Sequence, residues 1–226
     1  MNQHSSSLSI AQIQHLLDND PQTQDFFERK TVSTYEDFVR VLHKDILRAI
    51  TDVQHDRHLF QDQSFGEDAI STVLIKCLKF LNYDAEHDTQ HGGHCDILVK
   101  HQGLGFEWIG EAKLWKGQAY VKGGLEQLLT RYATGTTNES SGGLLVYVKQ
   151  ENALEKLITW HTELSSHETT HTIETLPDRP RKLYFDSVQI AQASGLDYDM
   201  RTFFVALNHA TSVEPEYSHD GTEISA

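Results

Sequence analysis

The sequence predicts a mixed α/β fold, and three observations support this. Apolar residues recur at helical spacing early in the chain, as Phe38, Val41, Leu42, Ile46 and Ile50 do. Later segments alternate apolar and polar residues or form short apolar runs, which is typical of strands. The two kinds of segment follow one another along a chain of 226 residues, whose 38% apolar and 23% charged residues are those of a globular protein.

Three helices are expected in the first 80 residues. The first carries a stripe of five apolar residues between Leu8 and Leu17, and we expect Pro21 to close it. The second begins after Thr34, whose hydroxyl can cap the helix, with Asp37 three residues later in a variant of the capping box. The third runs from about Gly66 to residue 80.

A β-hairpin is expected next. Residues 82–95 are polar and rich in histidine, which indicates a strand with an irregular approach to the following one. The segments Cys95–Val99 and Phe106–Trp115 have the pattern of two strands. Gly103 and Gly105 mark the turn between them, and Gly103 at the first position of a two-residue loop predicts a type II′ turn.

The rest of the chain continues the alternation. The expected elements are a helix at 123–132, a Ser/Gly-rich loop at 136–143, a strand at 144–148, a helix at 152–164, and strands at 183–190 and 202–208. We expect three regions, namely a helical extension at 1–63, one domain at 64–212 and an acidic, disordered tail at 213–226.

The composition excludes several classes of protein. A net charge of −14 argues against holding nucleic acid by bulk electrostatics, although residues 66–150 are nearly balanced, with 8 basic and 10 acidic residues. Two cysteines without a CxxC pair argue against a disulfide scaffold or a zinc ribbon. No apolar run is long enough to span a membrane, and the first residues do not resemble a secretory signal, so we expect a cytoplasmic protein without a membrane partner.

Two carboxylates and a lysine stand out on the predicted hairpin. The loop at Gly103 sets a register in which Asp96 faces Glu111, with Cβ atoms about 4.5–5.5 Å apart. Glu111 and Lys113 project from one face because side chains alternate along a strand. Carboxylates so close repel each other, and a divalent cation such as Mg²⁺ or Mn²⁺ removes the repulsion. The alternative is an ion pair on an exposed sheet face.

This pattern resembles the PD-(D/E)XK nuclease superfamily over roughly residues 64–150. In that superfamily an acidic helix precedes a hairpin with Asp on one strand and (Asp/Glu)-X-Lys on the next. A further helix and strand complete an αβββαβ core of the restriction-endonuclease type. The resemblance assigns catalytic positions to Glu67, Asp96, Glu111, Lys113 and Gln127.

The resemblance implies a metal-dependent nuclease. Mg²⁺, with Mn²⁺ able to substitute, would be held by Glu67, Asp96, Glu111 and the Ala112 carbonyl. DNA is the expected substrate and RNA the alternative, in a restriction or anti-phage defence setting, with a homo-oligomer or a defence-system protein as partner. For Glu67, the alternative role is a helix-dipole partner only.

Two positions depart from the superfamily pattern. Cys95 replaces the proline usually found before the first Asp. In the following helix, Tyr132 lies one residue farther from Gln127 than in the commonest form of that motif. The wider family pattern is therefore matched in order but not at every position.

Basic and aromatic residues follow the second strand. Lys116, Lys122 and Arg131 could contact phosphates, and Tyr120 could stack on a base. The alternatives are that Tyr120 is a core aromatic and that Arg131 pairs with a nearby acid.

A histidine cluster precedes the first strand of the hairpin. His87, His91 and His94 lie close to Cys95 in the sequence and suggest either a zinc or iron site or a solvated loop.

Two rival functions remain open at this stage. One is a catalytically silent subunit with a nuclease-like fold that binds nucleic acid or assembles with other proteins. The other is a nuclease that stays latent until a partner or an oligomer forms.

Overall fold

A seven-stranded β-sheet lies between two layers of helices in the computed structural model, which describes residues 8–88 and 95–210. The helices are α1 (Ile10–Asn19), α2 (Pro21–Lys30), α3 (Tyr35–His55), α4 (Glu67–Phe80), α5 (Gln118–Gln127) and α6 (Ala153–Ser165). The strands are β1 (Asp84–Asp88), β2 (Cys95–His101), β3 (Phe106–Leu114), β4 (Ser141–Val148), β5 (Thr170–Ile173), β6 (Tyr184–Ile190) and β7 (Asp197–Ala206). The predicted α/β class is confirmed.

The strand order across the sheet is β1-β2-β3-β4-β7-β6-β5. The β3–β4 and β4–β7 pairs are parallel, and the other four neighbouring pairs are antiparallel. Strand β4 is central and every one of its residues is buried. This burial explains why the strand is a continuous apolar run and does not alternate.

Helices α3 and α4 cover one face of the sheet. The apolar stripe of α3 is buried as predicted, and the Thr34 hydroxyl accepts a hydrogen bond from the Asp37 N–H, which confirms the cap. The Tyr35 hydroxyl donates to a backbone carbonyl of the sheet, that of Glu107, at 2.9 Å. Helix α3 shares one hydrophobic cluster with α4 and the sheet, so the expected boundary at residue 63 lies between two helices that pack in the same core.

Helices α5 and α6 cover the opposite face. Leu125 on α5, and Leu157 and Trp160 on α6, are fully buried against Leu144 and Val146 of the central strand. The chain continues from α5 into a single π-helical turn, Leu128–Tyr132. Among the described residues, none of the helices is long and apolar enough to cross a membrane.

The β2–β3 hairpin has the predicted register but a different turn. Leu98 pairs with Ile109 and Ile97 with Gly110, as expected. The pairing ends there among the described residues, so the predicted pair of Asp96 with Glu111 is not formed, and Asp96 accepts a hydrogen bond from the Ala112 N–H. The type II′ prediction is wrong, because the loop has four residues and its left-handed glycine is Gly105, with φ of 67°. Both loops are centred on the same bond, so they give the same register.

Several element boundaries differ from the predictions. Pro21 closes α1 but also begins α2, because Asp20 caps the new helix and proline fits its first position. Helix α5 begins five residues before the predicted Gly123, and β7 begins at Asp197. Strand β5 was not expected at all. The predicted acidic tail at 213–226 lies outside the described residues.

The predicted Ser/Gly-rich loop is partly strand, since β4 begins at Ser141. Gly143 lies against the Trp108 ring, and a Cβ there would be 2.5 Å from a ring carbon. The glycine is therefore present because of this close approach, which the local sequence does not reveal.

Candidate active site

Strand β3 extends beyond its last pair with β2, which is Ile97–Gly110. Two carboxylates accept hydrogen bonds from N–H groups on the edge of β3 that this leaves unpaired. The Ala112 N–H donates to Asp96 Oδ2 at 2.7 Å, and the Leu114 N–H donates to Glu67 Oε1 at 2.8 Å. Alternate N–H groups of a strand point to the same side, so both acids take places that a neighbouring strand would fill. The structure thus brings Glu67 at the start of α4 and Asp96 on β2 to one edge.

Glu111 and Lys113 form an ion pair on the α5 side of the sheet. Lys113 Nζ lies 2.6 Å from Glu111 Oε1, and the Glu111 side chain is fully buried. The other oxygen of Glu111, Oε2, is buried without a hydrogen-bond partner among the described residues. An exposed ion pair was the alternative for these residues, and the burial of Glu111 contradicts it.

Helix α5 places the lysine. The stem of Lys113 crosses the helix at Gly124, where an added Cβ would lie 2.7 Å from Lys113 Cγ and 3.1 Å from Cε. Our sequence reasoning did not single out Gly124. The signal was available, because adjacent glycines inside a helix are unfavourable and often mark a close approach.

Burial and mutual repulsion perturb the acids. Burial, followed by the charge of Asp96, raises the pKa of Glu111 to about 7. Burial also raises the pKa of Asp96, while the hydrogen bond from the Ala112 N–H opposes the shift. Burial lowers the pKa of Lys113, but the hydrogen bond and charge of Glu111 outweigh it, so the net shift is upward.

A divalent cation fits part of this donor set. The unpartnered oxygen of buried Glu111 is a hard donor that lacks a partner, and Asp96 supplies a second carboxylate beside it. Within residues 8–88 and 95–210, however, no three His, Cys, Asp or Glu side chains gather closely enough to hold a metal ion. One oxygen of Glu67 accepts a hydrogen bond from the backbone of β3.

Gln127 lies at the last position of α5 and is half-buried. Its amide nitrogen is 3.5 Å from the Tyr132 hydroxyl, at the limit of a hydrogen bond. The contact that the structure shows for the Gln127 side chain is therefore with Tyr132 and not with Asp96 or Glu111.

A cleft of about 360 Å³ opens beside Glu67. Lys116 and Tyr120 line it, and Lys116 Nζ lies 4.5 Å from the centre of the Tyr120 ring. Tyr120 is exposed, which contradicts the alternative that it is a core aromatic. Lys122 is half-buried on α5, and Arg131 is exposed on the π-helical turn.

Of the three histidines in the predicted cluster, only His87 lies within the described residues. The ring of His87 is within hydrogen-bond distance of the Thr72 hydroxyl, at 3.1 Å, whereas His91 and His94 lie outside the described residues. Cys95 is buried.

Comparisons with known proteins add no family assignment. No protein-family model, no curated protein and no solved structure matches the chain. The interpretation of the site therefore depends on its geometry and chemistry.

Proposed function

We propose that the chain is a metal-dependent phosphodiester hydrolase that cleaves DNA. The observation that carries the proposal is the convergence at the free end of β3, where Asp96 adjoins a buried Glu111 paired with Lys113. The element order α4, β1, β2, β3, α5, β4 matches the helix, three strands, helix and strand of a restriction-endonuclease-like core, and this supports the fold part of the proposal.

Asp96 and Glu111 are the proposed metal ligands, with Glu67 and the Ala112 carbonyl assisting. When bound, Mg²⁺ or Mn²⁺ would polarise the scissile phosphate and lower the pKa of a coordinated water. Burial, more than the neighbouring acids, raises the pKa of both carboxyls, and a bound cation would stabilise their charged forms.

Lys113 is the proposed electrostatic catalyst. Its raised pKa keeps the ammonium protonated at neutral pH, so it can donate hydrogen bonds but cannot accept a proton. An ammonium fixed by Glu111 and by the surface of α5 is suited to orient a nucleophile and to stabilise charge that develops on the phosphate.

The substrate contacts are proposed from position and charge. Lys116 and Tyr120 share the cleft beside Glu67, so a phosphate and a base could be held close to Glu67. Lys122 and Arg131 are the proposed additional phosphate contacts. The strongly acidic chain favours a substrate bound through such local contacts over one bound by overall charge.

The test is a cleavage panel with purified full-length protein. The substrates are linear and circular DNA, single- and double-stranded DNA, and RNA, each with Mg²⁺, with Mn²⁺ and with chelator. We expect metal-dependent DNA cleavage that falls by about a hundredfold or more in Asp96→Asn and Lys113→Met. Glu126→Gln, at an exposed position on α5, is the matched control and should cleave like the parent. Equal activity in all three variants would disprove the site assignment.

A catalytically silent binding subunit is the second candidate. The closed Glu111–Lys113 pair favours it, because the ammonium already neutralises one proposed metal ligand. In that case DNA binding would persist with chelator, and no cleavage would appear in any metal.

A further inference from the structure

A second cavity, of about 300 Å³, lies at the opposite end of the β2–β3 hairpin. The C-terminal end of α2, the helix α3, the start of β1 and the hairpin turn enclose it. His101 lines this cavity and lies five residues along β2 from Asp96, which corresponds to roughly 17 Å at the rise of a strand. The cavity is therefore separate from the candidate active site.

Positive side chains dominate the wall of this cavity. Arg29, Lys30 and Lys100 line it, against a single carboxylate, Asp84, that already accepts a hydrogen bond of 2.6 Å from the turn. Lys100 is only loosely paired, since its Nζ lies 3.7 Å from Glu86 Oε1. The acids that pair with Arg29 and Lys100, namely Asp45 and Glu86, lie outside the lining, so the surface that an entering ligand meets is positive and favours an anion.

Two polar atoms in the wall are buried without partners. The Arg29 side chain is only 10% exposed; its Nη1 contacts Asp45, but its Nε has no hydrogen-bond partner. His101 Nδ1 is likewise buried and unpartnered. Within the described part of the chain only five buried side-chain nitrogen or oxygen atoms lack a partner, and two belong to this wall. Both atoms lie beneath the cavity surface, out of reach of a water-sized ligand, so a ligand would contact the exposed ends of the charged lining side chains.

We propose that this cavity binds a small phosphate-bearing anion, either inorganic phosphate or a phosphomonoester. Phosphate oxygens accept hydrogen bonds from guanidinium N–H groups, whose planar fork suits them, and the Arg29 guanidinium belongs to the cavity lining. Lys30 and Lys100 supply further positive charge. The volume is at the lower end of the range for small-molecule sites, so the anion is a small one.

The test is calorimetric titration of the full-length protein with inorganic phosphate and with ribose 5-phosphate at constant ionic strength. The variant Lys30→Met/Lys100→Met removes two charges from the cavity. Its matched control, Lys76→Met/Lys79→Met, removes two exposed charges from α4 outside the cavity. Arg29→Lys keeps the charge but removes the guanidinium fork. The control also accounts for the general effect on anion binding of removing two positive charges from the chain.

We expect saturable binding in the parent and in the control variant, with at least tenfold weaker binding in Lys30→Met/Lys100→Met and in Arg29→Lys. Similar affinities for the two probes would identify free phosphate as the occupant, and much tighter binding of ribose 5-phosphate would identify an ester. The absence of saturable binding, or an equal loss in both double variants, overturns the proposal. None of these outcomes depends on nuclease activity.

Discussion

Replacing Gly124 by alanine tests the packing that holds Lys113. An added Cβ would lie 2.7 Å from Lys113 Cγ, 3.1 Å from its Cε and 3.4 Å from Leu144 Cδ1. Because Cγ is near the root of the side chain, the whole stem must move, and the 2.6 Å contact with Glu111 moves with it. The preceding Gly123 has nothing within 4 Å of the same added atom, so Gly123→Ala is a matched control.

The two substitutions should differ in sign. Each gains about 1 kcal/mol of helix propensity, and Gly123→Ala should stabilise the protein by about that amount. Gly124→Ala loses about 1–3 kcal/mol to overpacking, and about 1–3 kcal/mol more if buried Glu111 loses its hydrogen bond. We therefore expect Gly124→Ala to be less stable than Gly123→Ala by at least about 1 kcal/mol.

Urea unfolding at pH 7 measures the difference directly. Repeating both substitutions in a Lys113→Ala background isolates the steric cause, because alanine there lacks the Cγ and Cε atoms that clash. In that background the gap between the two glycine variants should close. If both alanines stabilise the parent equally, Lys113 does not pack on α5 as described. Under the proposed function, Gly124→Ala should also reduce DNA cleavage while Gly123→Ala should not.

Two further predictions concern buried charge. Lys113→Met should lower the free energy of unfolding by about 1–2 kcal/mol at pH 8, because the pKa of Glu111 then rises above about 7 and the buried carboxyl must take up a proton. Glu111→Leu/Lys113→Met should recover most of that loss in urea unfolding, and a double variant no more stable than the single one would contradict this. Burial lowers the pKa of His43 from 6.5 to about 3. Below pH 6.5 the unfolded chain therefore binds a proton at His43 that the folded chain does not bind, and the free energy of unfolding falls as the pH drops. Between pH 7 and pH 5 the loss is about 2 kcal/mol, and His43→Gln, which can still accept the hydrogen bond from Trp108, should show a fall smaller by that amount.

The parts of the fold that the sequence predicted are those set by local periodicity. The stripe on α3 and the Thr34 cap depend on neighbours within one helix, and both are confirmed. The hairpin register also emerged from the sequence, since the pairing depends on where the turn is centred, and the four-residue loop at Gly105 keeps that centre. An error in the turn type therefore left the register intact.

The remaining features depend on contacts between distant segments. Gly143 lies in β4 because the Trp108 ring needs the space, and no local pattern separates such a glycine from a loop glycine. Helix α2 was overlooked because Pro21 can end one helix and begin another, and Asp20 decides between these by capping the second. Strand β5 is short and lies at the edge of the sheet, so it carries little apolar signal.

At the candidate site, residue order was predictable but bonding was not. The spacing of Asp96, Glu111 and Lys113 was sufficient to expect them on neighbouring strands. Which backbone N–H donates to each acid depends on where the pairing between β2 and β3 ends. The register alone does not give that point. The hydrogen bond from Leu114 to Glu67 also requires α4 to start beside the end of β3, which only the packed structure shows.

The early end of the β2 pairing is the physical origin of the candidate site. A strand edge left open would expose N–H groups or attract another strand, and here carboxylates from β2 and α4 occupy two of those N–H groups. Those hydrogen bonds fix Asp96 near Glu111 despite the repulsion between them, which burial strengthens. Lys113 pairs with one oxygen of Glu111, and among the described residues the other oxygen accepts no hydrogen bond. The proposed cation would use that oxygen together with Asp96, so the proposal depends on these two groups and not on the motif alone.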